Sequence, residues 1–305
     1  MGSNPASPTK CQKRGPAGKT NSGVAVKVPI SFEVYPPRDP ATAPQLYEAI
    51  DQLGKLGPAF ISVTFGAGGS ETSGSIDVLS YIKSKTKSMP LAHLTCVGTS
   101  VNAVEEIIQQ FTNAGIHDFL ALRGDLPAGL TELPADSLKS ANELVGTIRD
   151  ITAMNPGKVA VAAFPNGHPE SGSDRQDLVA LKAKQDAGAD FAITQLFFYA
   201  QDYFDFVELA RARGITMPII PGIMPITSPK RLARVLELTG EREPIELSKA
   251  FAAAESTSDR TEIGIQWAGN LVSELVSHGA PGVHLYAFNE HKNVSEALRR
   301  AGLIT

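Results

Sequence analysis

Short apolar runs recur along this chain, and each is followed by a longer stretch with helical periodicity. The runs are rich in Val, Ile and Phe, and some alternate apolar and polar positions, as "ISFEVY" does at 30–35. Such runs, bounded by glycine or proline, are typical of β-strands. They predict strands at 30–35, 59–65, 91–97, 118–123, 158–164, 190–197, 217–221 and 282–288.

The segments between the runs place apolar residues three and four positions apart, as in "LYEAIDQLGKL" at 46–56 and "VEEIIQQFTNAG" at 104–115. This spacing predicts amphipathic helices. Glycine readily adopts the left-handed conformation that ends a helix, so a glycine just before the next run indicates a helix C-terminus. Such glycines are Gly57, Gly115, Gly188 and Gly214.

The alternation of strands and helices predicts parallel strands joined by crossover helices. Eight such units within residues 29–305 predict an α/β fold with a single (β/α)8 TIM barrel. A doubly wound sheet is the structural rival, but it normally carries a G-x-G-x-x-G fingerprint after an early strand. The stretch "GAGGSE" at 66–71 does not fit, because Glu71 stands where the last glycine belongs.

The composition is that of a soluble globular protein, since the 305 residues are 42% hydrophobic and 20% charged. No apolar run is long enough to span a bilayer, so no membrane association is expected. The two cysteines, Cys11 and Cys96, cannot build a disulfide framework and lack the spacing of a metal site. This cysteine usage favours a cytoplasmic protein.

Charge is distributed unevenly along the chain. Residues 1–28 carry five Lys or Arg residues and no acidic residue, among many Gly, Pro, Ser, Thr and Asn. This predicts a flexible basic extension, and it lacks the continuous apolar segment of a secretory signal. All 32 acidic residues fall in the remainder. That acidic remainder offers no basic groove for a phosphate backbone, so no nucleic-acid partner is expected.

Active sites of such barrels lie at the C-terminal ends of the strands. The polar residues that the pattern places there are Glu33, Thr64, His93, Arg123, Asp125, His168, Gln195 and Asn289. Each alone has a structural explanation, and a lone histidine in an apolar strand is more often a core residue than a ligand. Residues with purely structural roles would scatter over both ends of the barrel. Their gathering at one end therefore favours a functional site.

Several chemistries remain open for these residues. Glu33 and Asp125 could serve a glycosidase as a carboxylate pair, but this end offers few aromatic platforms for a sugar. His93 and His168 with Asp125 could bind a metal, yet no H-x-H or H-E-x-x-H spacing supports this, and no metal is expected. The sequence has no G-x-S-x-G motif for a catalytic serine. The residues alone indicate a barrel enzyme with an acid and several hydrogen-bond donors.

Seven segments, taken in order, narrow the choice of enzyme family. They are "SFEVYPPR" (31–38), "SVTFGAGG" (62–69), "HLTC" (93–96), "LRGDLP" (122–127), "FPNGHPE" (164–170), "DAGADFAITQLFF" (186–198) and "IIPGIMPI" (219–226). Together they resemble the methylenetetrahydrofolate reductases, which are flavin-dependent (β/α)8 barrels, over nearly the whole chain beyond residue 28. No part resembles the regulatory domain of the eukaryotic members, so the chain is similar to the short bacterial form.

The resemblance implies an oxidoreductase that reduces 5,10-methylenetetrahydrofolate to 5-methyltetrahydrofolate, in one-carbon metabolism and methionine supply. It implies FAD as the cofactor, which takes a hydride from NADH or NADPH before the folate replaces the nucleotide in a ping-pong order. The acidic composition shows no cluster suited to a 2′-phosphate, which favours NADH. Members of the family form dimers and tetramers, so a homo-oligomer is expected.

The resemblance also implies roles for matching residues. Glu33 is the expected general acid that protonates N10 of the folate, and burial is expected to raise its pKa. Asp125 is the second expected catalytic residue, beside both flavin and pterin. Gln195 and Arg231 are expected to bind substrate, since the neutral amide of Gln195 can both donate and accept. The positions implied to bind FAD are Thr64, Phe65, Ala67, His93, Arg123, Gly124, Asp125, Phe164, His168, Asp177 and Lys184.

Three positions depart from the family pattern. Phe164 replaces a common tyrosine, Ala183 a common arginine, and Glu290 an arginine that would face the glutamate carboxylates of the folate. Arg231 or Lys292 could supply that missing positive charge. The departures keep open a flavin-free folate-binding protein or reductase. A flavin barrel that oxidises an amine, as proline dehydrogenases do, is a further alternative, although it gives Glu33 no clear role.

Overall fold

The computed structural model describes residues 28–37, 39–65, 72–125, 133–168 and 174–305. The basic extension predicted for residues 1–28 lies outside the described residues, apart from Val28. Ala67, one of the positions implied to bind FAD, also lies outside them. The proposed boundary between the extension and the barrel therefore stays a prediction.

Eight parallel strands close into a barrel in sequence order, with the last strand paired to the first. This confirms the predicted (β/α)8 TIM barrel. The strands are β1 Ile30–Val34, β2 Phe60–Val63, β3 Met89–Thr95, β4 Asp118–Leu122, β5 Val159–Ala163, β6 Phe191–Leu196, β7 Ile219–Ile223 and β8 Val283–Tyr286.

Helices surround the barrel in the crossovers between the strands and after the last one. Within the described residues they are α1 Ala43–Lys55, α2 Thr72–Lys85, α3 Val101–Asn113, α4 Ala141–Ile151, α5 Asp174–Asp186, α6 Ala200–Ala212, α7 Pro229–Thr239, α8 Ile245–Ala253, α9 Thr257–Ser277 and α10 Lys292–Arg300. Three helices, α7 to α9, separate β7 from β8, where the repeating pattern predicts a single helical stretch.

The predicted strand bounds differ from the observed ones by at most two residues. The four glycines predicted to end helices have φ between 67° and 109°, which confirms the left-handed conformation. β7 lies two residues further toward the C-terminus than predicted, because it continues through Pro221, although proline is normally excluded from the interior of central strands. The ladder to β6 shifts register there, and Gly222 N donates to Thr194 Oγ1 at 2.8 Å.

Apolar side chains fill both faces of the barrel wall. Outward residues such as Phe32 and Phe119 pack with the helices in the main core. A smaller cluster from five strands fills the interior and consists of Phe60, Leu91, Leu120, Ala160 and Ile193. The His284 ring stacks on Phe60 with its centroid 5.4 Å away. Because the interior is otherwise apolar, its polar side chains locate the candidate site.

Candidate active site

Three ionisable side chains from three strands meet inside the barrel. Glu33 is the penultimate residue of β1, His93 lies on β3, and His284 lies on β8. The Glu33 Oε2 atom is 3.5 Å from His93 Nε2 and 3.9 Å from His284 Nε2. Both histidines are buried, whereas 22% of the Glu33 side chain is exposed. A ligand can therefore reach a carboxyl that is held between two imidazoles.

The expectation that burial raises the pKa of Glu33 is wrong in its net direction. Burial does raise this pKa, but the facing imidazoles of His284 and His93 outweigh it and hold the pKa below its ordinary value. Burial lowers the pKa of His93, and the nearby Glu33 only partly opposes that shift. The sequence could not reveal that two histidines from distant strands face one carboxyl oxygen.

The sequence pattern identified Glu33 and His93 but missed Ser31 and His284. The Ser31 Oγ and His284 Nδ1 atoms are 2.9 Å apart in the interior. Ser31 pairs with His284 and Glu33 with Tyr286 across β1 and β8. The signal was present in the alternation, because residues two apart on a strand point to the same face. What the sequence does not show is the register of β8 against β1, which sets His284 opposite Ser31.

Tyr286 completes the polar interior on β8. Its hydroxyl donates to Thr194 O at 2.8 Å, and its ring meets the His284 ring edge to face at 5.4 Å. Burial, and then the charge of Glu33, raise the pKa of Tyr286. The phenol is therefore a neutral hydrogen-bond donor at physiological pH.

Four residues implied to bind FAD gather after β5 and on α5. Phe164 and His168 meet edge to face with ring centroids 4.7 Å apart, and His168 N donates to an Asp177 carboxylate oxygen at 2.9 Å. The Lys184 ammonium is buried and donates to Ala162 O at 2.9 Å. Burial lowers the pKa of Lys184 to about 8, although Asp177 opposes this shift. The cluster thus holds a buried cation beside the C-terminal end of β5.

The ends of β2 and β4 carry another part of the predicted set. Thr64 and Phe65 directly follow β2, and Arg123, Gly124 and Asp125 directly follow β4. Gly124 has φ of 82°, and a Cβ there would lie 2.9 Å from Thr95 Cβ, so this turn requires glycine. Asp125 is exposed. The predicted residues on β2 and β4 therefore reach the same end of the barrel as Glu33.

Two of the predicted substrate residues, Gln195 and Arg231, come from β6 and from α7. In β6, the side-chain oxygen of Gln195 accepts from Leu196 N at 2.9 Å. The guanidinium carbon of Arg231, at the start of α7, lies 5.1 Å from the centroid of the Phe288 ring. Glu290 accepts from Lys292 N and Asn293 N at 2.6 and 3.1 Å, so its charge caps the start of α10.

The described residues contain no group of three or more His, Cys, Asp or Glu side chains that could hold a metal ion. Among the same residues, no helix combines the length and the apolar character needed to cross a membrane.

A closed (β/α)8 barrel whose interior brings an acid and two imidazoles together has the architecture of a barrel enzyme. Comparison with known sequences specifies the family. The family model described as methylenetetrahydrofolate reductase matches residues 20–302, and the chain belongs to this family.

Curated relatives span the bacterial and eukaryotic forms. The 5,10-methylenetetrahydrofolate reductase of Salmonella typhimurium (strain LT2) is 34% identical over 264 residues, which cover 86% of this chain and 87% of the relative. Methylenetetrahydrofolate reductase (NADH) 1 of Arabidopsis thaliana is 32% identical, over 90% of this chain and 48% of the relative. A probable NADPH form from Caenorhabditis elegans is 33% identical, over 90% and 42%.

Among solved structures, an uncharacterized protein from Clostridium thermocellum has a TM-score of 0.58 to this chain at 16% identity. The match covers 90% of this chain and 94% of that one, which is described as binding two copies of 5-methyl-5,6,7,8-tetrahydrofolic acid. This similarity supports the barrel fold.

Proposed function

We propose that this protein reduces 5,10-methylenetetrahydrofolate to 5-methyltetrahydrofolate with NADH or NADPH, using bound FAD. The observation that carries the proposal is the accessible Glu33 carboxyl, held 3.5 and 3.9 Å from two imidazoles inside the barrel. It supplies an acid where the family reaction requires one. The names of the curated relatives agree with this activity.

In this proposal Glu33 protonates N10 of the folate, which opens the five-membered ring. The carboxyl must therefore hold a proton when substrate is bound, although its pKa lies below the ordinary value in the ligand-free site. A bound pterin would displace water from the exposed 22% of the Glu33 side chain. This further desolvation favours the neutral acid and so opposes the effect of the histidines.

The residues at the ends of β2, β4 and β5 fit FAD. A flavin dinucleotide carries an anionic pyrophosphate, and the buried Lys184 ammonium and the Arg123 guanidinium are suited to bind it. The other described residues that we assign to the cofactor are Thr64, Phe65, His93, Gly124, Asp125, Phe164, His168 and Asp177. When bound, FAD would accept a hydride from the nicotinamide and deliver it to the one-carbon unit of the folate.

Substrate binding is proposed to use Asp125, Gln195 and Arg231. The Gln195 amide can turn from Leu196 N toward a ligand and can both donate and accept. Arg231 is exposed beside the Phe288 ring, where it can attract the glutamate carboxylates of a folate. Glu290 repels these carboxylates less than its position suggests, because its charge is directed at the start of α10. Arg231 can therefore supply the positive charge that is missing because Glu290 stands where the family commonly has an arginine.

The test is the visible absorption spectrum of the purified protein, recorded anaerobically with NADH or NADPH and then with methylenetetrahydrofolate. A flavin band that the nucleotide bleaches and the folate restores would support both half-reactions in a ping-pong order. We expect NADH to bleach the band faster than NADPH. A colourless protein that consumes NADH only when folate is present would replace this proposal with a flavin-free reductase.

Glu33→Gln separates the two half-reactions. The variant should keep bleaching by NADH but lose at least about a hundredfold in folate reduction, because an amide cannot serve as the general acid. Glu208→Gln, on the exposed face of α6, is the matched control and should leave both rates unchanged. Equal rates of folate reduction in wild type and Glu33→Gln would rule out this role for Glu33.

A further inference from the structure

Phe288 and Asn289, shortly after β8, have an unusual backbone conformation. Within the part of the chain that the structure describes, they are the only non-glycine residues with positive φ, at 51° and 58°. This left-handed conformation brings Cβ close to the following carbonyl oxygen, and phenylalanine tolerates it less well than asparagine does. A glycine at position 288 would adopt it without that cost. The strain at Phe288 therefore indicates that its side chain has a function.

The side chain of Asn289 holds this turn in place. Its Oδ1 atom accepts from Tyr35 N at 2.9 Å, and its Nδ2 atom donates to Tyr35 O at 2.8 Å. A backbone bond from Ala287 N to Glu33 O, at 3.1 Å, precedes this pair. The carboxamide thus takes the place of a further backbone pair just beyond Glu33. Asn289 thereby fixes Phe288 relative to β1, the strand that carries the proposed acid.

The Phe288 ring is accessible to a ligand. The residue keeps 39% of its surface exposed, although the guanidinium carbon of Arg231 lies over the ring, 5.1 Å from its centroid. Arg231 is itself exposed, at the start of α7. The segment after β8 therefore presents an open aromatic ring beside a cation, at the end of the barrel where the Glu33 carboxyl lies.

Three groups of a folate find matching partners in this arrangement. N10, which Glu33 is proposed to protonate, is bonded directly to the p-aminobenzoyl ring, and that ring carries the glutamate carboxylates through an amide. A folate that presents N10 to Glu33 must therefore place its benzoyl ring next to that carboxyl, toward the barrel mouth. Phe288 offers the ring an aromatic partner, and Arg231 offers the carboxylates a cation.

We propose that Phe288 binds the p-aminobenzoyl ring of the folate, and that Asn289 is a positioning residue that presents Phe288 for this contact. The inference rests on the proposed reduction of methylenetetrahydrofolate and specifies part of its substrate site. Phe288 takes no part in proton or hydride transfer, so it contributes to the affinity for folate. The nucleotide reacts with FAD without protonation by Glu33, so its half-reaction does not require Phe288.

A kinetic test uses Phe288→Ala, because alanine removes the ring but keeps a Cβ and so the same backbone constraint. The flavin is reduced anaerobically with NADH and then reoxidised at increasing concentrations of methylenetetrahydrofolate. We expect the half-saturating folate concentration to rise about tenfold and the limiting rate to fall by less than about twofold. The concentration dependence of bleaching by NADH should not change. Phe288→Tyr, which keeps an aromatic ring, should bind folate nearly as wild type does.

The control is Leu209→Ala, which removes a similarly exposed apolar side chain in the last turn of α6. It should leave both half-reactions unchanged. A half-saturating folate concentration that stays at the wild-type value in Phe288→Ala would overturn the proposal. An equal rise for NADH and folate would also overturn it, because the contact would then not be specific for folate. Should Phe288→Ala not fold, Phe288→Leu takes its place.

A binding test needs neither cofactor nor turnover. Saturation-transfer NMR with the full chain and p-aminobenzoylglutamate should show transfer to the ring protons of this compound. The transfer should disappear in Phe288→Ala, weaken in Arg231→Gln and persist in Leu209→Ala. Equal transfer in wild type and Phe288→Ala, or no transfer in wild type at millimolar concentration, would contradict this role for Phe288.

Asn289→Gly tests the positioning role. Glycine accepts the positive φ but lacks the carboxamide, so this variant loses the pair with Tyr35 without added strain. We expect its half-saturating folate concentration to rise about threefold or more, because Phe288 is no longer held for the contact. Phe288→Ala should then have a smaller effect in the Asn289→Gly background than in wild type. Fully additive effects would refute the positioning role.

These tests also distinguish the inference from the proposed function. A wild-type protein that binds no flavin or reduces no folate would refute the proposed function, while the NMR comparison would still decide whether Phe288 and Arg231 bind a benzoylglutamate. Folate reduction that is normal in wild type and identical in Phe288→Ala would count against Phe288 alone.

Discussion

Lys184 illustrates how a residue that we propose to bind the cofactor can be costly for folding. Its ammonium is buried against Ala162 O, and burial lowers its pKa to about 8. A lysine whose pKa is lowered on folding destabilises the folded state at neutral pH. That cost disappears as the pH rises above the unfolded pKa of about 10.4. Such a cost is understandable if an anionic ligand later neutralises the charge.

We expect Lys184→Met to leave the free energy of unfolding of the ligand-free protein within about 1 kcal/mol of wild type at pH 7, because relief of the buried charge offsets the lost hydrogen bond. The same change should weaken FAD binding about tenfold or more, since a charge-assisted contact is lost. Urea unfolding and flavin titration measure the two effects.

The control is Lys182→Met, whose ammonium pairs with Asp186 on α5; this variant should bind FAD as wild type does. Equal FAD affinity in both variants would contradict the role of Lys184.

At the scale of elements, β6 and β8 pack closely against Gly222 of β7. A Cβ atom on Gly222 would lie 2.3 Å from Thr194 O and 2.8 Å from Tyr286 Oη. Gly222→Ala should therefore lower the free energy of unfolding by about 1–3 kcal/mol or more through overpacking. Gly146→Ala, within α4, meets no atom within 4 Å and should raise it by about 0.5–1 kcal/mol. Denaturant unfolding of both variants checks this, and two changes of the same sign would be inconsistent with it.

The elements themselves were largely predictable, because hydrophobic periodicity and terminal glycines reflect local physics. β7 is an element whose bounds the local pattern does not predict. Pro221 lacks a backbone N–H, yet the strand continues because Thr194 Oγ1 accepts from the next residue, Gly222. The two additional helices before β8 were also missed, since an amphipathic segment does not reveal whether it covers the barrel or extends it. Tertiary contacts decide both outcomes.

At the scale of the whole molecule, barrel closure assembles the candidate site. Alternation could place Glu33 and His93 on inward faces, and the sequence pattern selected both. The predicted barrel does place β8 beside β1, but the pattern does not give the register that sets Ser31 opposite His284, 253 positions away in the sequence. The direction of the Glu33 pKa shift was missed for the same reason, since it depends on which imidazoles face the carboxyl. The predicted residues outside the described segments, such as Ala67, remain predictions.

The opposite end of the barrel carries a network whose role is stability. Just before β6, Asp190 accepts from Arg149 at 2.5 Å, Val159 N at 2.7 Å and Lys158 at 3.1 Å. Burial raises the pKa of Asp190, but these hydrogen bonds outweigh it and lower the pKa overall. A carboxyl with a lowered pKa stabilises the fold fully above its unfolded pKa of about 3.9, and this contribution is lost as the pH falls through the folded value.

Asp190→Asn should accordingly lower the free energy of unfolding by about 1–3 kcal/mol at pH 7, because charge-assisted bonds are lost. Urea unfolding from pH 7 downward should show a constant difference from wild type until about pH 4, and a shrinking one below it. Glu237→Gln removes an exposed pair with Arg234 and should change the free energy by less than about 0.5 kcal/mol. A difference for Asp190→Asn that persists unchanged below pH 3 would assign the loss to packing instead of charge. Because this network lies at the end opposite Glu33, folate reduction by the folded variant should equal that of wild type.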